Sequence, residues 1–101
     1  MKRKVFISGK ITGDKNYRKK FNLVAESLTD EGYVVLNPAV LPKGFNCSDY
    51  IRICMAMIDA VETVLFLPDW KDSPGARFEM QYAKQTNKDI VFFEDWNGGK
   101  T

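Results

Sequence analysis

The chain has 101 residues, 45% hydrophobic and 28% charged, which is the size and balance of one globular domain with an ordinary core. Fifteen Lys and Arg against thirteen Asp and Glu leave a net charge of +2, so charge makes no case for a nucleic-acid polymer or a membrane surface as partner. There is no histidine, which removes Ser-His-Asp and Cys-His catalysis and every His-bearing zinc site.

Cys47 and Cys54 are the only cysteines, too few for a zinc cluster. Seven residues apart on a predicted helix they are separated by about 10 Å along its axis, beyond disulfide reach. No metal or cofactor is expected. No apolar stretch approaches the ~20 residues that span a bilayer, and Val5-Phe6-Ile7 is too short for a signal-peptide core. These features, with two reduced thiols, predict a cytoplasmic protein.

In chain order, Lys4–Ser8 is rich in β-formers and ends at Gly9. Asp14 is the expected N-cap of a helix over about 15–31, with Tyr17, Phe21, Val24, Ala25 and Leu28 on one stripe. Gly32 closes it as a left-handed C-terminal cap. A second strand over 33–36 stops at Asn37-Pro38, and residues 39–47 read as a loop. Asn46 or Ser48 caps a second helix to about Ala60. Residues 63–67 form a third strand, apolar on both faces, as a central parallel strand should be. Ser73-Pro74 starts a third helix that runs to about Thr86, Ser as N-cap and Pro at the first helical position. Residues 89–93 form a fourth strand, and 93–101 read as a polar tail.

The alternation β-α-β-α-β-α-β predicts a single three-layer α/β domain, Rossmann-like or flavodoxin-like, over residues 1–101. Its four-stranded parallel sheet should have order 2-1-3-4. Ligands of such sheets bind past the carboxyl ends of the strands, where the order reverses. That nominates the loops Ser8–Asp14 and Pro68–Glu79.

The first loop, Ser8-Gly9-Lys10-Ile11-Thr12-Gly13-Asp14, has two glycines four apart and several donors, suited to a sugar or phosphate. Its spacing fits neither a Walker A loop nor GxGxxG. In the second, Ser73-Pro74-Gly75 presents free backbone N–H groups at a helix start, an anion-binding arrangement. Glu79 follows within the helix, and its neighbours Gly75, Ala76 and Ala83 are small, with no cation at i±4 to pair with it. A carboxylate so placed either faces a ligand in the crevice or is a solvated helix residue. Trp70 either stacks on a nucleobase or covers the sheet edge. Arg18-Lys19-Lys20 reads as a solvated helix face.

Together, Val5-Phe6-Ile7-Ser8-Gly9…Thr12-Gly13, Asn37-Pro38 and Leu67-Pro68-Asp69-Trp70-Lys71-Asp72-Ser73-Pro74-Gly75-Ala76-Arg77-Phe78-Glu79…Ala83 resemble the nucleoside 2-deoxyribosyltransferase-like family, in particular its short bacterial and phage branch. The resemblance spans roughly residues 4–93 and implies cleavage or transfer at the N-glycosidic bond of a (deoxy)nucleoside or its 5′-monophosphate. It maps the family's nucleophile onto Glu79. A carboxylate can attack C1′ through an oxocarbenium-like transition state to give a glycosyl ester, with no metal or cofactor.

The chain departs from the family's pattern at Phe6, Lys10, Ser73 and Cys54. The usual residues there are a hydroxyl-bearing aromatic, a proline, an aspartate and an acid–base aspartate. Asp59, Asp69 and Asp72 are alternative carboxylates for the second catalytic role. Cys54 also reads as a small residue packed on the sheet. The expected binders of sugar, phosphate or base are Ser8, Gly9, Lys10, Trp70, Asp72, Ser73 and Gly75. The resemblance further implies a homodimer or higher homo-oligomer, with Trp96 at the contact and Asn97 completing a neighbour's site. Two other functions fit the same cleft: a catalytically silent nucleotide-binding module, and a glycohydrolase of NAD or nucleotide sugars.

Overall fold

A computed structural model describes residues 3–98, with side chains as far as residue 96. Four strands, β1 (Lys4–Ser8), β2 (Val34–Leu36), β3 (Thr63–Phe66) and β4 (Asp89–Phe92), form one parallel sheet in the order β2-β1-β3-β4. The helices are α1 (Tyr17–Asp30), α2 (Cys47–Asp59), α3 (Pro74–Gln85) and α4 (Phe93–Gly98), with short 3-10 turns at Pro38–Val40 and Trp70–Asp72. This is the α/β architecture and strand order that the sequence predicts.

Alternation along the strands sorts the core into two layers. Val5, Ile7, Leu65 and Leu67 face one side, where they meet Phe21, Val24 and Leu28 of α1. Phe6, Val64 and Phe66 face the other, against Cys54 and Ile58 of α2 and Met80 and Ala83 of α3. Every residue of β3 is buried, as a strand covered on both faces must be. The strands β1 and β3 lie side by side, Ser8 in register with Phe66. Just beyond, a Cβ on Gly9 would stand 2.8 Å from Leu67 Cδ1 and 2.9 Å from Leu67 Cβ, so only glycine lets the chain leave β1 this close to the end of β3. Gly32, with φ +95°, ends α1 as expected.

Two local features differ from the sequence reading, and a third settles an alternative it left open. The first turn of α1 begins at Tyr17, and Asp14 is not its N-cap: the Asp14 carboxylate accepts from the Asn16 amide and from Lys20 instead. Asn46, not Ser48, caps α2, in a reciprocal capping box with Asp49. The segment read as a polar tail contains α4, because Phe93 and Trp96, three apart, form one apolar stripe with ring centroids 5.7 Å apart that packs on the α1 side of the core. The ring expected to meet a second subunit is therefore partly covered by its own chain. Among the described residues no helix is long and apolar enough to cross a membrane.

Candidate functional site

Ser8 ends β1 with its side chain on the layer shared with Phe6, the layer that α3 covers. The α3 start is fixed by Ser73, whose Oγ accepts from the Ala76 amide at 3.1 Å, and by Pro74 in the first turn. Ala76, Met80 and Ala83 make the buried stripe of α3. Glu79 sits beside that stripe, three residues from Ala76 and four from Ala83, so it is turned towards the sheet. There Ser8 Oγ donates to Glu79 Oε1 at 2.6 Å, a contact between residues 71 positions apart. The Cys54 thiol, from α2, faces the same carboxylate.

Burial raises the Glu79 pKa from its usual value near 4.5 to about 7, against the opposite pull of hydrogen bonds from Ser8 and Cys54. Cys54 is pushed up to about 12, first by burial and then by the adjacent Glu79 charge and hydrogen bond. At neutral pH Cys54 is therefore a neutral thiol, and Glu79 is divided between its acid and its anion. Glu79 remains half-buried rather than sealed, and among the described residues no cation pairs with it. A strongly perturbed carboxyl group at the reversal point of an open sheet makes this the candidate site.

A second cluster ties the two crevice loops together. Lys20 Nζ donates to Asp69 Oδ2 at 2.5 Å, to Asp14 Oδ2 at 2.6 Å and to the Lys10 carbonyl at 2.9 Å, and the Lys10 amide donates to Asp69 Oδ1 at 3.0 Å. Burial alone would lower the Lys20 pKa, but the two carboxylates outweigh it and hold the ammonium charged. The Lys20 hydrogen bond, helped by the Asn16 amide, keeps the Asp14 carboxyl below its ordinary range. Lys20 thus points inward, unlike the solvated face expected of Arg18-Lys19-Lys20. The signal was its place three residues after Tyr17 and four before Val24, at the margin of the buried stripe. Lys20→Met, which leaves Asp69 facing no cation, is expected to destabilise the fold by about 1–3 kcal/mol in urea unfolding, less than a fully buried pair because a quarter of the side chain is exposed. An unchanged unfolding midpoint would show that the cluster is ornamental.

The remaining expected site residues divide. Gly75 is exposed, with Ser73 Oγ 3.8 Å from where its Cβ would be. Asp72 is exposed beside it. Trp70 packs on Phe66 and Phe92, centroids 5.4 and 6.2 Å away, which is its sheet-edge alternative. Both Asp69 oxygens are occupied by Lys20 and the Lys10 amide. Gly9 is packed on Leu67, and the Lys10 backbone is engaged at both its amide and its carbonyl.

Asp59 is not brought to Glu79. It ends α2, which runs back to the start of β3, and there it accepts from Tyr82 Oη at 2.6 Å while its carbonyl lies 3.4 Å from Lys88 Nζ. That is the opposite end of the sheet. The Asn97 side chain lies outside the described residues. Among the described residues no group of His, Cys, Asp and Glu is placed to hold a metal. An open surface depression of about 370 Å³ lies along α1, lined by Asn16, Lys19, Lys20 and Leu23, and does not include Glu79.

Sheet order, the crevice and the placement of α3 define a class, the 2-deoxyribosyltransferase-like α/β fold. The chain superposes on the 2-desoxiribosyltransferase from Leishmania mexicana with a TM-score of 0.73 at 18% identity, covering 91% of this chain. It spans 64% of the length of that transferase. Residues 3–92 match the domain of unknown function DUF4406, and the chain belongs to that family. No curated protein sequence matches it.

Proposed function

We propose that the protein cleaves or transfers the N-glycosidic bond of a nucleoside or nucleoside 5′-monophosphate, with Glu79 as nucleophile. The observation that carries this reading is the Glu79 carboxyl group: half-buried at the crevice, held by Ser8, and with no cation among the described residues to neutralise it. A structural carboxylate would be paired or solvated; this one keeps its reactivity at the expense of stability.

In this mechanism Ser8 fixes Oε1 and leaves the other oxygen for attack on C1′. The C1′–N bond breaks with its electron pair leaving on the base, and a glycosyl ester forms on Glu79. Water, or the nitrogen of a second base, then attacks C1′ and releases the carboxylate. The fold likeness to a 2-desoxiribosyltransferase supports the reaction class. The exposed Gly75 at the α3 start, whose backbone amide is the one not taken up by Ser73 or replaced by Pro74, supports a 5′-phosphate on the sugar.

The test is incubation of the protein with the common nucleosides, deoxynucleosides and their 5′-monophosphates, with free base measured by chromatography. Release that disappears in Glu79→Gln is the expected result. A nucleotide that binds in calorimetry and is recovered intact would replace the enzyme with a binding module.

A further inference from the structure

Expelling a neutral purine or pyrimidine from C1′ ordinarily requires a proton on the base as the bond breaks, because the bare anion is a poor leaving group. A positioned acid contributes about 10²–10⁴-fold to such a step. Among the described residues, the groups against Glu79 do not supply one. From β1 comes Ser8, fully buried, with its hydroxyl already engaged as a hydrogen-bond donor to Glu79. From α2 comes Cys54, whose thiol is pushed up to about 12 and does not protonate a departing base at neutral pH. From α3 itself come Gly75, Ala76 and Ala83, whose side chains carry no acidic proton.

The carboxylates at this end of the sheet are otherwise occupied. Asp14 and Asp69 are held by the Lys20 ammonium, and Asp49 accepts from the Asn46 amide. Asp72, and Glu94 and Asp95 after β4, lie exposed to solvent. Asp59 is at the far end, bonded to Tyr82. Met1, Lys2 and residues 97–101, outside the described side chains, include no carboxyl, thiol or phenol side chain.

Resting on the glycosidic reading of Glu79, we propose that the substrate is an N-glycoside whose ring nitrogen already carries positive charge, because the crevice pairs a carboxylate nucleophile with no acid placed to protonate a departing base. Pyridinium nucleotides and N7-alkylated purine nucleotides share that chemistry. When the C1′–N bond breaks, its electron pair cancels the ring's charge and the base leaves neutral without taking up a proton. The oxocarbenium-like carbon is captured by Glu79, and the ester is then hydrolysed by water, which returns the carboxylate and one proton to solvent. A carboxylate beside an apolar layer also favours the cationic ground state electrostatically, so one group serves binding and attack.

The experiment compares four substrates with the full chain: nicotinamide mononucleotide and 7-methylguanosine 5′-monophosphate as the cationic pair, adenosine 5′-monophosphate and deoxyadenosine 5′-monophosphate as the neutral pair. Base release is followed for each in the wild type and in Glu79→Gln. The expected result is a kcat/KM at least about 100-fold higher for one or both cationic substrates, lost in Glu79→Gln. The nicotinamide mononucleotide rate, whose ring has no proton to lose, should rise with pH through the Glu79 ionisation near 7 and then stay level, with no alkaline limb from an acid being lost. The two cationic arms separate a pyridinium from an alkylated purine. Neutral nucleotides cleaved as fast or faster would overturn this inference and leave the glycosidic reading standing. No release from any of the four, or release that Glu79→Gln leaves intact, would overturn both.

Discussion

At about pH 8, Glu79→Gln should make the protein more stable than the wild type by about 3 kcal/mol. In the unfolded chain Glu79 has the ordinary carboxyl pKa of 4.5, and in the folded protein it is raised to about 7, chiefly by burial. Between those values the folded state binds more protons than the unfolded state, so stability falls as pH rises through the window. Above pH 7 the whole penalty is present, and each pH unit between the two values contributes about 1.4 kcal/mol to it. Glutamine removes the charge while its amide oxygen still accepts from Ser8.

For a domain of this length a gain of that size lifts the melting temperature by roughly 10–20 °C. The difference should shrink as pH is lowered and vanish near pH 4.5, where the wild-type carboxyl is protonated in the folded state. Denaturant titrations of both proteins at the two pH values measure it. Equal stabilities at pH 8 would mean that the carboxylate is solvated and carries no strain.

The same substitution should remove base release, by roughly 10³-fold or more, because no second carboxylate is near enough to take over the attack. Stability gained and activity lost in one variant is the pairing expected of a strained functional group, and not of a structural one. The wild-type rate should fall as pH drops through about 7, where Glu79 takes up its proton. Ser8→Ala deletes the hydrogen bond that favours the anion, so its acid limb should move to higher pH. An acid limb that stays in place in Ser8→Ala would show that the hydroxyl does not govern the ionisation.

Periodicity alone carries most of the fold: apolar β-branched runs for the strands, stripes for the helices, and Ser73-Pro74 for the start of α3. Topology then puts Glu79 at the crevice. The same topology places Asp59 at the wrong end, since a helix returning between parallel strands must finish where the next strand begins. Its candidacy came from proximity in sequence to Cys54, which more than a further turn of helix separates in space. The Ser8–Glu79 pairing was only half visible. Alternation gives Ser8 the same face as Phe6, but which residue of α3 meets it depends on the rotation of a helix 71 positions away. Lys20 was concealed by its neighbours, because two exposed basic residues before it disguise the one that turns in. The helix α4 was hidden by Asn97-Gly98-Gly99, a breaker signal that outweighed a single pair of rings.

The Lys20 cluster bears on how any guest is received. With one ammonium fastening the segment after β1 to the segment after β3, the two loops past the strand ends are set before anything arrives. Little entropy is then spent on arranging the host, and recognition resembles a casting in a finished mould. A ligand of the proposed kind would meet loops already tied, and its selection would rest on fixed dimensions and not on a closing motion.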